Sequence, residues 1–83
     1  MKYLPIGSVV VLNNGGQPVM IYGRKQIQQQ NEILWDYVAC LYPEGNLGEE
    51  YNVFFNNEDI NQILFTGFQT QIELQMQKIL NKS

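Results

Sequence analysis

Histidine is absent from this chain, and cysteine occurs once, at Cys40. The first absence removes the commonest general base, the commonest metal ligand and every Ser-His or Cys-His nucleophile pair. The second excludes an intramolecular disulfide and any zinc site built on several thiolates. Positive charge is also scarce: Lys2, Arg24, Lys25, Lys78 and Lys82 stand against eight carboxylates, for a net charge of −3. Displacing counterions from a nucleic acid or an anionic membrane takes several cations on one face. Only Arg24 and Lys25 are adjacent, so neither partner is expected. The apolar runs fall short of the roughly 20 residues that span a bilayer. Met1-Lys2-Tyr3-Leu4-Pro5 has no apolar core of a secretory signal, so the expected location is the cytoplasm.

What remains is a globular composition. In 83 residues, 45% are hydrophobic and 12% aromatic, enough for one core of marginal size. Leu4-Pro5-Ile6-Gly7-Ser8 reads as a turn into the β-branched strand Val9–Leu12. Asn13-Asn14-Gly15-Gly16 supplies the positive-φ residues of a tight hairpin. The returning strand runs from Pro18 to about Ile27, with Val19 and Ile21 on one face and Met20, Tyr22 and Arg24 on the other. Gly23 inside it marks a bulge or bend. Gln26 to Glu32 is a polar hairpin tip.

The third strand, about Ile33 to Tyr42, is apolar on both faces and therefore reads as the central one. Pro43-Glu44-Gly45-Asn46-Leu47-Gly48 is turn chemistry, and Tyr51–Phe55 is a fourth strand. Asn57 can cap a helical turn, with Ile60, Ile63 and Leu64 facing inward; Ile63–Gly67 reads equally well as a closing fifth strand. The fold class expected is mainly β with a C-terminal helix (α+β): a small antiparallel SH3-like barrel of four to five strands plus one short helical turn. The barrel takes residues 1–68, and a C-terminal amphipathic helix takes 69–83.

That helix opens on a capping box, Thr70-Gln71-Ile72-Glu73. Ile72, Met76, Ile79 and Leu80 follow at helical spacing as one apolar stripe, and Leu74 lies off it. A helix of about 11 residues is marginal alone, so the stripe should be buried on the barrel or on a partner.

Candidate chemistry is thin. Glu49-Glu50 and Glu58-Asp59 are adjacent pairs without the separation a glycosidase or calcium loop needs. No catalytic, cofactor or metal residues are therefore assigned. Asp36 interrupts an apolar strand, where a charge either holds an edge or surface position with at most a weak ion pair or takes a partner such as Arg24 on the neighbouring strand. Nothing near Cys40 would lower its pKa, so it reads as a core thiol. Trp35, Tyr37, Tyr42, Tyr51, Phe54 and Phe55 are too many aromatics for so small an interior. Those left outside would form an interface patch. The candidate partner-binding residues are Trp35, Tyr37, Tyr42, Tyr51, Phe54, Leu74 and Met76.

One resemblance rests on particular segments in a fixed order. They are Leu4–Val10, Met20–Arg24, Asp36–Asn46, Phe54–Asn56, Asp59-Ile60 and Leu64–Phe68, with Asp36-Tyr37 upstream of Tyr42-Pro43-Glu44-Gly45 the most specific piece. Together they resemble a family of small Gram-positive bacterial proteins built on a domain of unknown function. Its members are commonly encoded beside LXG toxins of type VII secretion systems. The likeness spans about Leu4 to Phe68. It implies a non-catalytic protein-interaction module, a cytoplasmic accessory, chaperone or targeting factor for a secreted toxin or related substrate. The alternative is a small-barrel regulatory or nucleic-acid-binding protein. A homodimer is compatible with both.

Overall fold

The computed structural model describes residues 1–82. Five antiparallel strands, β1 (Val9–Leu12), β2 (Val19–Gln28), β3 (Ile33–Leu41), β4 (Val53–Phe55) and β5 (Ile60–Phe65), form one sheet in the order β4-β3-β2-β1-β5. A 3-10 turn, Asn57–Asp59, joins β4 to β5, and helix α1 (Gln71–Leu80) follows. The expected class, mainly β with a C-terminal helix, is what the chain adopts.

The sheet does not close into a barrel. β5 returns to pair with β1, and β4 pairs with β3, so β4 and β5 are the two edges. β2, not β3, is the middle strand. The three-residue β4 pairs with β3 alone, and no ladder joins it to β5. The segment Ile60–Phe65 is the fifth strand and not an extension of the helical turn. Ile63 and Leu64, expected to face inward, are each 49% exposed.

The core sits on one face of the sheet. Val10, Val19, Ile21, Tyr37, Ala39 and Phe55 are enclosed there, covered by Tyr3 from the N-terminal segment and Leu80 from α1. Tyr37 is central. Its ring packs edge-on to Tyr3 (centroids 6.0 Å apart) and tilted against Phe55 (5.3 Å). Its hydroxyl accepts from the Leu4 amide at 2.9 Å and donates to Asn57 Oδ1 at 3.3 Å. Burial raises the Tyr37 phenol above its ordinary value, with the nearby Asp36 adding to the effect and the Leu4 bond opposing it. Cys40 is buried, as expected of a core thiol.

Gly23 carries the bulge its position suggests. The β2–β3 register pairs Ile21 with Ala39 but Gly23 with Val38, so β2 holds one extra residue there. A Cβ on Gly23 would stand 2.7 Å from Val38 Cγ1. A one-residue insertion reverses which face each later side chain occupies. Arg24 consequently stands opposite Tyr37, on the core side, and not with Met20 and Tyr22 as simple alternation implies.

Candidate functional site

The bulge redirects the chain's polar contacts. Arg24 is 9% exposed and reaches α1, where Nη1 and Nη2 bind the two carboxylate oxygens of Glu73 at 2.5 and 2.9 Å. Such a two-pronged guanidinium–carboxylate bond is strong and directional. It is the one ion pair among the described residues. The Arg24 hydrogen bonds hold the Glu73 carboxyl below its ordinary value of 4.5, against the opposing effect of burial.

Of the two readings of Asp36, the pair with Arg24 does not form. Asp36 lies on the opposite face of β3 from Tyr37, and its Oδ2 accepts from the Asn57 amide at 2.9 Å. The Asp36 amide in turn donates to Asn56 Oδ1 at 3.0 Å. Asn56, not Asn57, occupies the N-cap of the 3-10 turn. Asp36 therefore anchors the link from β4 to β5.

α1 docks through a polar face. Gln77 binds the Tyr3 main chain twice, accepting from its amide at 2.9 Å and donating to its carbonyl at 2.7 Å. Lys25 Nζ donates to the carbonyls of Leu80 (3.1 Å) and Lys82 (2.8 Å) at the helix C-terminus, the end that favours a cation. Thr70 Oγ1 accepts from the Glu73 amide at 3.1 Å, which is half of the expected capping box; the Glu73 carboxylate goes to Arg24 instead. Of the expected stripe only Leu80 is buried, at 5% exposure, while Ile72 and Ile79 are 76% and 61% exposed.

The candidate binding residues separate into four places. Tyr37 is fully enclosed, so its role is packing and it leaves the proposed patch. Trp35 and Phe54 are half-buried and line one cleft of about 420 Å³ beside the β1–β2 turn. Trp35 Nε1 donates to Gln28 Oε1 at 3.1 Å. Tyr42 and Tyr51 are exposed and line neither that cleft nor the larger one described next. Leu74 and Met76 are exposed on α1.

A second cleft, about 570 Å³, lies between the β2–β3 hairpin and the 3-10 turn Glu49–Tyr51. Tyr22, Val38 and Phe54 form its wall, with Glu49 and Glu50 beside them. The Tyr22 hydroxyl donates to Asn52 Oδ1 at 2.6 Å. Burial raises the Tyr22 phenol above its ordinary value, with Cys40 and Glu49 adding to it. Among the described residues, no three of His, Cys, Asp or Glu are placed to hold a metal ion.

The most extensive apolar exposure lies where aromatic density did not point. Ile63 and Leu64 (49% each), Phe65 (61%), Phe68 (85%) and Ile72 (76%) follow one another along the chain from β5 into α1. No charged residue occurs between Asp59 and Glu73. The sequence signal is that uncharged run, but a helical turn over Ile60, Ile63 and Leu64 would face them inward, and the chain forms a strand there instead.

A family profile described as a domain of unknown function (DUF4176) matches residues 3–76. The chain belongs to the DUF4176 family. The match takes in all five strands and continues to Met76, beyond the likeness ending near Phe68 and into the helix. Both members of the Arg24–Glu73 bond thus lie inside the DUF4176 segment, while Gln77 and Leu80 lie past it. No curated protein and no solved structure matches this DUF4176 domain. No helix among its described residues is long and apolar enough to cross a membrane.

Proposed function

We propose that this DUF4176 domain is a non-catalytic protein-interaction module, a cytoplasmic accessory, chaperone or targeting factor for a type VII-secreted toxin or related substrate. The observation that carries the reading is the β5 edge. Among the described residues its outer side has no strand partner, and Ile63, Leu64 and Phe65 are exposed along it. An apolar edge of this kind accepts an extended segment of another protein through main-chain hydrogen bonds and alternate side-chain contacts. Two register shifts in the β1–β5 ladder twist that edge, a feature that limits indiscriminate pairing between sheets. Toxin neighbourhood, suggested by the resemblance above, supplies the class of partner.

The test is co-expression with the products of adjacent genes, followed by mass measurement of the purified complex. A stable complex that is lost with Phe65→Asp, in a variant retaining its melting temperature, is the expected result. Failure of every product of the operon to co-purify would reject the reading.

A further inference from the structure

We propose that the outer face of α1 is a two-fold contact with a second copy of this chain. Glu73, Gln77 and Leu80 face the sheet, and at 3.6 residues per turn Ile72, Met76 and Ile79 lie about 100° further around the helix. Those three are 76%, 37% and 61% exposed. The intramolecular contacts of α1 are complete without them: each end of the helix and both polar side chains facing the sheet are bonded. The stripe is therefore free for intermolecular burial.

Its spacing fits a copy of itself. Two such helices packed antiparallel about Met76 place Ile72 beside the second copy's Ile79 and Met76 beside its twin. One patch meets itself, as a two-fold contact requires. Phe68, 85% exposed, lies just before the N-cap and adds apolar surface at both ends of the pair.

Charge favours the same occupant. From Ile60 to Lys82 the only carboxylate is Glu73, and Arg24 neutralises it. The seven other carboxylates precede Ile60. A chain of net charge −3 can thus approach its twin here without setting unpaired acids against one another.

Ile72, Met76, Ile79 and Phe68 offer roughly 500 Å² per copy, about 1,000 Å² in total, which reaches the lower limit of specific interfaces. An interface at that limit belongs with weak, transient associations, so the dissociation constant is expected in the micromolar range. The contact uses α1 and leaves the β5 edge free, so dimerisation and partner binding stand or fall separately.

Sedimentation equilibrium of the purified full chain, from about 1 to about 300 µM to bracket that constant, should show mass rising from the 9.6 kDa monomer toward twice that value. Ile79→Glu should weaken association at least about tenfold without lowering the melting temperature measured on dilute protein. Met76→Cys should form a disulfide-linked dimer under mild oxidation, whereas Leu74→Cys, on the far side of the helix, and the unmodified chain with its buried Cys40 should not. A chain that remains monomeric throughout overturns the proposal. So does a dimer indifferent to Ile79→Glu, or equal cross-linking through positions 74 and 76. Binding of the monomer to anionic phosphatidylglycerol vesicles through the same stripe would assign the face to a lipid surface and reject the dimer.

Discussion

Along β1 to β3, most enclosed side chains are apolar, and strand alternation with one bulge accounts for those on the core face. Val10, Ile21, Tyr37 and Ala39 share the core face. Along α1 the relation is inverted: the most apolar stripe meets solvent, while a glutamate and a glutamine join Leu80 against the sheet. The difference lies in what each element must satisfy. A strand inside a sheet pairs its main chain with its neighbours and leaves the side chains to pack. α1 arrives where the Tyr3 main chain and the Arg24 guanidinium need partners, and unpaired polar groups in a partly buried site are costly. Complementary side chains dock the helix there, and its orientation follows from them.

The contrast breaks most visibly at Tyr37. Tyr37→Ala empties the centre of the core and removes the hydroxyl bonded to Leu4 and Asn57. A loss of about 3–5 kcal/mol is expected, typical of buried aromatic truncation, and urea denaturation would measure it. Tyr37→Phe separates the two contributions. It keeps the ring packing but leaves the Leu4 amide without its acceptor, so a loss of about 1–3 kcal/mol is expected. If Tyr37→Phe matches the parent chain, the hydroxyl contributes no net stability and the core is held by packing alone.

The polar docking of α1 supplies the intermediate effect. Glu73→Gln leaves Arg24 largely buried without its counter-ion, and about 1.5–3 kcal/mol should be lost near neutral pH. The pH dependence has a definite sign. Arg24 holds the folded-state pKa of Glu73 below the ordinary 4.5. Its contribution is thus fully present above the unfolded value and disappears as pH falls through the folded one. Melting temperatures of the parent and Glu73→Gln should differ most near pH 7 and converge as acid protonates Glu73. A gap that stays constant into acid would show that the carboxylate charge is not what docks the helix.

These two regions also explain how far the chain could be read from residues alone. Val9–Leu12, the Gly23 bulge, the Asp36–Asn46 strand and turn, and the Thr70 cap were legible because each depends on neighbours in sequence. The Arg24 partner was not. It depends on a face reversal at Gly23 and on a carboxylate 49 positions away, and no local pattern encodes that pairing. Barrel closure is not legible for a related reason: β5 resembles a buried strand in composition, yet lies on an edge with five of its six side chains exposed. Tyr37 reads as a surface candidate because a count of aromatics cannot say which of them the core takes.

Leu74 gives the smallest effect and the most direct check on which face of α1 docks. It shares a helix with Leu80, but it is 57% exposed where Leu80 is 5% exposed. Burial of a leucine contributes about 1.5–3 kcal/mol, and a side chain left largely in water forgoes most of that. Helix propensity favours leucine over serine by only a few tenths of a kcal/mol. Leu74→Ser should therefore change the unfolding free energy by less than about 0.5 kcal/mol, measured on dilute protein so that association contributes nothing. A loss several times larger would mean that Leu74 is covered within the folded chain. α1 would then be rotated, and the Glu73–Gln77–Leu80 face could not be the one that meets the sheet.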